Sequence, residues 1–211
     1  MTTTAYVFLG LAAAFAVLDW VAVARKVKPL EYVSKPLATG SFLVVAASLD
    51  VAHDGQWAWH LTALAFCIAG DVFLMLPKKA FVQGLASFAI AQILFTVGFL
   101  SADISGMRLL GAAVVAVPVA VFLARRFVGA MKGIGQNELV VPVIVYVTVI
   151  SAMAVSAVGN GSVVAILGAI LFMLSDSLIA ESRFVKARFW HPVGIMVTYH
   201  LALAGLVLGL L

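Results

Sequence analysis

The sequence predicts an all-α fold, a polytopic integral membrane protein, and three observations carry the prediction. Of 211 residues, 64% are hydrophobic and only 10% charged, with a mean hydropathy of +1.18. A soluble domain carries about 45–50% apolar and about 25% charged residues, so this chain lacks the polar surface to coat a water-soluble core. The apolar residues also gather into runs approaching the ~20 residues that a spanning helix needs. Finally, the basic residues alternate between the connections of those runs.

Eight runs stand out: Tyr6–Ala24, Pro36–Leu49, Trp57–Leu76, Phe81–Leu100, Leu109–Leu123, Glu138–Val158, Ser162–Ala180 and His191–Leu211. The second and fifth are short. Together they leave no room for a soluble domain, so residues 1–211 are expected to form one integral-membrane helical domain. The first run ends in Ala22-Val23-Ala24, which looks like a cleavage site, but Arg25, Lys26 and Lys28 follow the apolar stretch instead of preceding it. That is the reverse of a signal peptide's polarity and predicts a retained helix.

Arg25, Lys26, Lys28 and Lys35 follow span one; Lys78 and Lys79 follow span three. Arg125, Arg126 and Lys132 follow span five, and Arg183, Lys186 and Arg188 follow span seven. Twelve of the 13 basic residues thus occupy odd-numbered connections, and Arg108 alone falls in an even one. The positive-inside rule then puts the odd loops in the cytoplasm and both termini outside; in a bacterium this is the cell (inner) membrane. The net charge of +4 and pI near 9.4 follow from these loops facing anionic lipid. No basic block is interleaved with aromatics, so nucleic acid is not an expected partner. The single cysteine, Cys67, excludes an intramolecular disulfide and a cysteine-only metal cage.

An ionisable group inside a membrane helix is costly and defaults to a functional hypothesis. Of nine acids, Asp50, Asp54 and Asp103 fall in outer loops, Glu31 in a basic loop, and Glu138 and Glu181 at helix ends, where water reaches them. Asp19, Asp71 and Asp176 remain within spans. At ~1.5 Å per residue each lies one to two turns from the cytoplasmic end of its helix, at a depth Lys35 shares. A purely structural role is open to each, for instance a Lys35–Asp19 pair or snorkelling to the headgroups. Asp71 and Asp176 are flanked by apolar residues and stand 105 positions apart, half the chain, each after a small residue (Gly70, Ser175). Two four-helix halves in parallel orientation, a 4+4 internal repeat, would give this pattern.

Other polar positions reinforce an internal cavity. Gly84, Phe88, Gln92 and Thr96 share one face of span four at i, i+4 spacing. Tyr146 lies about two turns into span six, and Tyr199 about two turns into span eight. His53 and His60 lie at the outer face, His191 begins span eight, and His200 points about 100° away from Tyr199. No His-Glu-x-x-His or similar spacing occurs, so neither a metal site nor a cofactor is expected. Gly205 and Gly209 read as helix packing, Pro118 as a kink in span five, and Pro142 and Pro192 as first-turn prolines.

Several short motifs occur together: Lys35-Pro36-Leu37 opening span two, and Gly70-Asp71-Val72-Phe73-Leu74-Met75-Leu76 closing span three. Phe81 through Gly84-Leu85 opens span four, and Tyr146 with Met153 lies in span six. Gly168-Ala169-x-Leu171-Phe172-x-x-Ser175-Asp176-Ser177 runs through span seven, with Tyr199 in the last helix. In this order and spacing the chain resembles the YhhN family of membrane proteins, which includes the animal lysoplasmalogenases. The resemblance implies hydrolysis of the vinyl ether of a lysoplasmalogen, a lysophospholipid, to a fatty aldehyde and glycerophosphoethanolamine or glycerophosphocholine. Asp71 and Asp176 would be catalytic, with Lys35, Gln92, Tyr146 and Tyr199 lining the substrate pocket, and substrate and membrane lipid would be the partners. The family often carries a histidine where this chain has Gln92, and glutamine can hydrogen-bond but not titrate.

The residues suit that reaction. A vinyl ether hydrolyses by protonation at carbon, through an oxocarbenium-like cation to which water adds. A carboxylic acid and a carboxylate divide such work in glycosidases. From sequence either aspartate can be the acid. The head group would face Lys35 and the basic loops. Two other classes use the same residues: a small-solute or proton-coupled transporter with the aspartates as relay groups, or a lipid-binding scaffold without chemistry. No span shows the paired glycine or proline interruption of a broken transporter helix.

Overall fold

The computed structural model describes residues 1–76 and 80–211, so Lys78 and Lys79, read as the second basic loop, lie outside the described residues. The structure is 86% helix, with no strand among the described residues. Among the described residues eight long helices follow one another: α1 (Thr3–Ala24), α2 (Lys28–Ala47), α3 (Asp54–Met75), α4 (Phe81–Leu100), α5 (Gly106–Gly133), α6 (Val140–Asn160), α7 (Val163–Ala180) and α8 (His191–Leu208). A 3₁₀ turn, Asn137–Leu139, leads into α6, and a π-helical turn, Glu181–Val185, extends α7.

The helix ends follow local chemistry. The side chains of Thr2, Ser105 and Ser162 accept the free N–H groups of Ala5, Arg108 and Ala165, filling donors that a first turn leaves empty. Gly161, at φ +95°, closes α6 in a left-handed conformation that glycine adopts without strain.

Several boundaries differ from the sequence reading. α2 starts at Lys28, two turns before Pro36, because a proline inside a helix is tolerated where neighbouring helices and side chains satisfy the freed backbone. Span five runs on through Arg125 and Arg126 to Gly133, with Pro118 inside one continuous helix. Glu138 belongs to the 3₁₀ turn, and α8 ends at Leu208 instead of Leu211. Among the described residues, seven helices are long and apolar enough to cross a membrane; α2, with Lys28, Glu31 and Lys35, is not among them.

Six helices form a closed ring in which α2 packs on α3, α3 on α4, α4 on α6, α6 on α7, α7 on α8 and α8 back on α2. α1 leans on α2 and α8 from outside, and α5 on α6. The outward faces are apolar: on α5, Met107, Leu110, Val114, Val115 and Phe122 are all exposed, as expected where lipid replaces water. α7 and α8 approach closely enough that a Cβ on Gly205 would sit 2.7 Å from the Gly168 Cα. The expected role of Gly205 and Gly209 in helix packing is what the structure shows, against Gly168 and Ala165.

Candidate active site

Each ring helix contributes one of the six residues singled out from the sequence: Lys35 from α2, Asp71 from α3, Gln92 from α4, Tyr146 from α6, Asp176 from α7 and Tyr199 from α8. Five are buried, and Asp176 is partly exposed. They form two neighbouring groups.

The first centres on Asp71, which is wholly buried. Thr39 Oγ1 donates to its Oδ2 at 2.6 Å and Tyr199 Oη to the same oxygen at 2.9 Å. Lys35 Nζ lies 3.2 Å from Oδ1. A buried charge persists only when paired and hydrogen-bonded, and this carboxylate has one cation and two hydroxyl donors. Thr39 is one turn beyond Lys35, so α2 presents both to α3. The Lys35 partner is therefore Asp71, and the alternative Lys35–Asp19 pair does not form. Asp19 instead accepts a hydrogen bond from Ser34 at 3.1 Å. Helix depth gave the three groups one level, but only their direction around the helix axes separates the two pairings.

The second group centres on Asp176, whose Oδ2 accepts a short hydrogen bond from the Tyr146 hydroxyl. Gln92 lies beside that hydroxyl, yet neither of its amide atoms finds a well-aligned partner among the described residues. The two groups adjoin: Asp71 and Lys35 both lie near enough to act on the Asp176 charge.

Asp176 and Tyr146 open onto an apolar cleft between α3, α4, α5, α6, α7 and the π turn, walled by residues such as Phe81, Leu85, Phe127, Ile150, Met173 and Phe184. Among the described residues its polar lining is Tyr146, Asp176 and Ser177. Asp71, Lys35, Gln92 and Tyr199 are outside the lining. Phe88 touches both sides, lining the cleft and meeting the Tyr199 ring edge-on at 5.8 Å between centroids. Gly70 makes room for it, since a Cβ there would sit 2.6 Å from the Phe88 ring.

Several residues escaped the sequence reading. Thr39 and Ser34 gave no signal, because helical Ser and Thr commonly bond their own backbone; both make that bond as well. Trp20 Nε1 donates to His200 Nδ1 at 3.0 Å, tying α1 to α8. Glu181, expected to be solvated, is clamped by Arg126, whose Nε and Nη2 donate at 2.9 and 2.8 Å. Thr96 turns its hydroxyl to its own helix, whereas Gly84, Phe88 and Gln92 are buried as the i, i+4 face predicts. No group of three or more metal-ligating side chains occurs among the described residues.

A bundle of long apolar helices with an acid in the wall of an apolar cleft is the architecture of a multi-pass membrane protein. The chain matches the YhhN family over residues 30–210 and belongs to that family. Two relatives, from Mycobacterium bovis and Mycobacterium tuberculosis, are each named lysoplasmalogenase; each is 30% identical over 171 residues, covering 78% of this chain and 66% of the relative. The chain thus spans just under two thirds of those relatives' length. No solved structure matches it.

Proposed function

We propose that the protein is a lysoplasmalogenase-like hydrolase, with its chemistry at the cleft-lining carboxyl of Asp176. The observation that carries this reading is a carboxyl paired with a tyrosine hydroxyl in the wall of an otherwise apolar cleft, next to a second, ion-paired carboxylate. The names of the mycobacterial relatives support the substrate class. The Asp71–Lys35–Thr39–Tyr199 group lies behind the cleft wall, which suits a fixed charge better than a group touching substrate.

In this mechanism Asp176 holds a proton on Oδ1 while Oδ2 accepts from Tyr146. It delivers that proton to the outer carbon of the vinyl ether, and the carbon–oxygen unit becomes an oxocarbenium-like cation. The Asp176 carboxylate so formed, with Asp71 behind it, stabilises the cation electrostatically, as preorganised charge does when water is excluded. Water then adds to the cationic carbon and returns a proton to Asp176. The hemiacetal collapses to a fatty aldehyde and the glycerophospho alcohol. Gln92, near the Tyr146 hydroxyl, can hydrogen-bond but not titrate and so does not relay a proton. The divided labour is that of glycosidase carboxylates.

The same reading includes eight membrane crossings within one domain, basic loops on the cytoplasmic side, and a parallel 4+4 repeat. The repeat has support in the ring: α3 is flanked by α2 and α4 as α7 is by α6 and α8, and α8 meets α2 as α4 meets α6. The test is free aldehyde measured after incubating the purified protein in lipid nanodiscs with a lysoplasmalogen. Turnover is expected in the native chain, with Asp176→Asn and Asp71→Asn each reducing it by at least about 100-fold, the usual scale for a general acid or its electrostatic partner. Undiminished release in folded Asp176→Asn protein would overturn the assignment.

A further inference from the structure

Arg183 stands beside the same cleft, against two of its rings, and has no role in the chemistry described above. Its guanidinium carbon lies 3.7 Å from the centre of the Phe81 ring and 5.8 Å from that of Phe184, two rings that line the cleft and meet edge-on. Arg126 nearby is consumed by its two hydrogen bonds to Glu181. Among the described residues Arg183 has no carboxylate within ion-pair distance. Its side chain is exposed and stacks on Phe81, and among the described residues its N–H donors have no hydrogen-bond partner, so they can present a planar fork to anion oxygens. The π-helical turn Glu181–Val185, closed by Lys186 N–H to the Glu181 carbonyl at 2.9 Å, holds Arg183 there. Such turns recur at functional sites.

We propose that Arg183 receives the phosphate of a single-chain glycerophospholipid whose hydrocarbon chain lies in the cleft, and so selects phosphorylated lipids over neutral ones. This rests on the lipid-hydrolase reading for its occupant. The lengths agree. Arg183 lies seven residues beyond Asp176, about 10 Å along the helix. In a lysophospholipid with an sn-1 ether, about six bonds separate the ether-linked carbon from phosphorus, roughly 7–8 Å at ordinary bond lengths. A hydrogen bond of about 3 Å completes the span. Lys35, expected from the sequence to face the head group, is instead buried against Asp71 and is no candidate for this contact.

The test uses probes that cannot be hydrolysed: a saturated 1-O-alkylglycerophosphocholine and the matching 1-O-alkylglycerol, titrated calorimetrically into the full chain in a phosphate-free maltoside detergent. The native protein is expected to bind the phosphorylated lipid at least about tenfold more tightly, the scale of one charge-assisted hydrogen-bonded contact. Arg183→Ala and Arg183→Gln should each abolish that preference while leaving alkylglycerol binding unchanged, and Arg183→Lys should keep only part of it. Lys132→Ala, removing another basic residue, should keep all of it. A preference that survives in both Arg183→Ala and Arg183→Gln, or that Lys132→Ala removes equally, overturns the proposal. Because no turnover is read, an absence of aldehyde release with the preference intact would count against the hydrolase reading alone.

Discussion

Lys35 and Asp71 form a pair in which neither member tolerates solitude. Removing the cation leaves a carboxylate wholly buried between helices, and breaking a buried pair from one side costs about 3–5 kcal/mol. Lys35→Met is therefore expected to lower the thermal unfolding midpoint in detergent by several degrees, and adding Asp71→Asn should recover much of the loss. If the single and double variants melt alike, the pair contributes nothing. At this scale the sequence singled out the ionisable residues within the apolar runs and was silent about which of them meet. Asp71 and Asp176 were legible because charge is scarce within apolar runs. Their partners were not: Lys35, Asp19 and Asp71 share a depth, and only packing decides that α2 turns Lys35 and Thr39 toward α3 while Ser34 reaches Asp19.

The α7–α8 contact sets where Asp176 and Tyr199 stand relative to each other. A Cβ on Gly168 would lie 2.7 Å from the Leu206 backbone nitrogen and 2.9 Å from the Ala202 carbonyl oxygen, neither of which can rotate away. Gly168→Val should thus push the helices apart at about 1–3 kcal/mol, read as a lowered midpoint together with reduced aldehyde release. An unchanged midpoint would show that the helices have slack. Helix packing through Gly205 and Gly209 was legible from their four-residue spacing, but the facing Gly168 and Ala165 required the fold. Element ends were legible where caps exist, at Ser162 for example. They were not legible at α2, where Pro36 reads as a helix start and stands inside the helix instead.

For the whole molecule, the alternation of basic loops predicts a sidedness that labelling can check. Cys67 is the one cysteine in the sequence and is buried, so in a Cys67→Ala background single cysteines report their own exposure. Cysteines replacing Lys26, Lys132 and Lys186 should react with a membrane-impermeant maleimide only from the cytoplasmic side, and those replacing Asp50 and Asp103 only from the other. Mixed labelling within either set would refute eight crossings. The all-helical class followed from composition, the length of the apolar runs and the alternation of basic residues. The closed ring did not, because the pairings of α4 with α6 and α8 with α2 are non-local and leave no periodic mark in the chain.

The central claim is that Asp176 protonates carbon, and isotope placement in the product tests it most directly. Hydrolysis of a lysoplasmalogen in heavy water, with the aldehyde reduced as it forms to block later exchange, should give alcohol carrying one deuterium on the carbon next to the former carbonyl. Asp176→Asn should suppress this product. Aldehyde formed without that deuterium, or formed at the native rate by folded Asp176→Asn protein, would contradict the account.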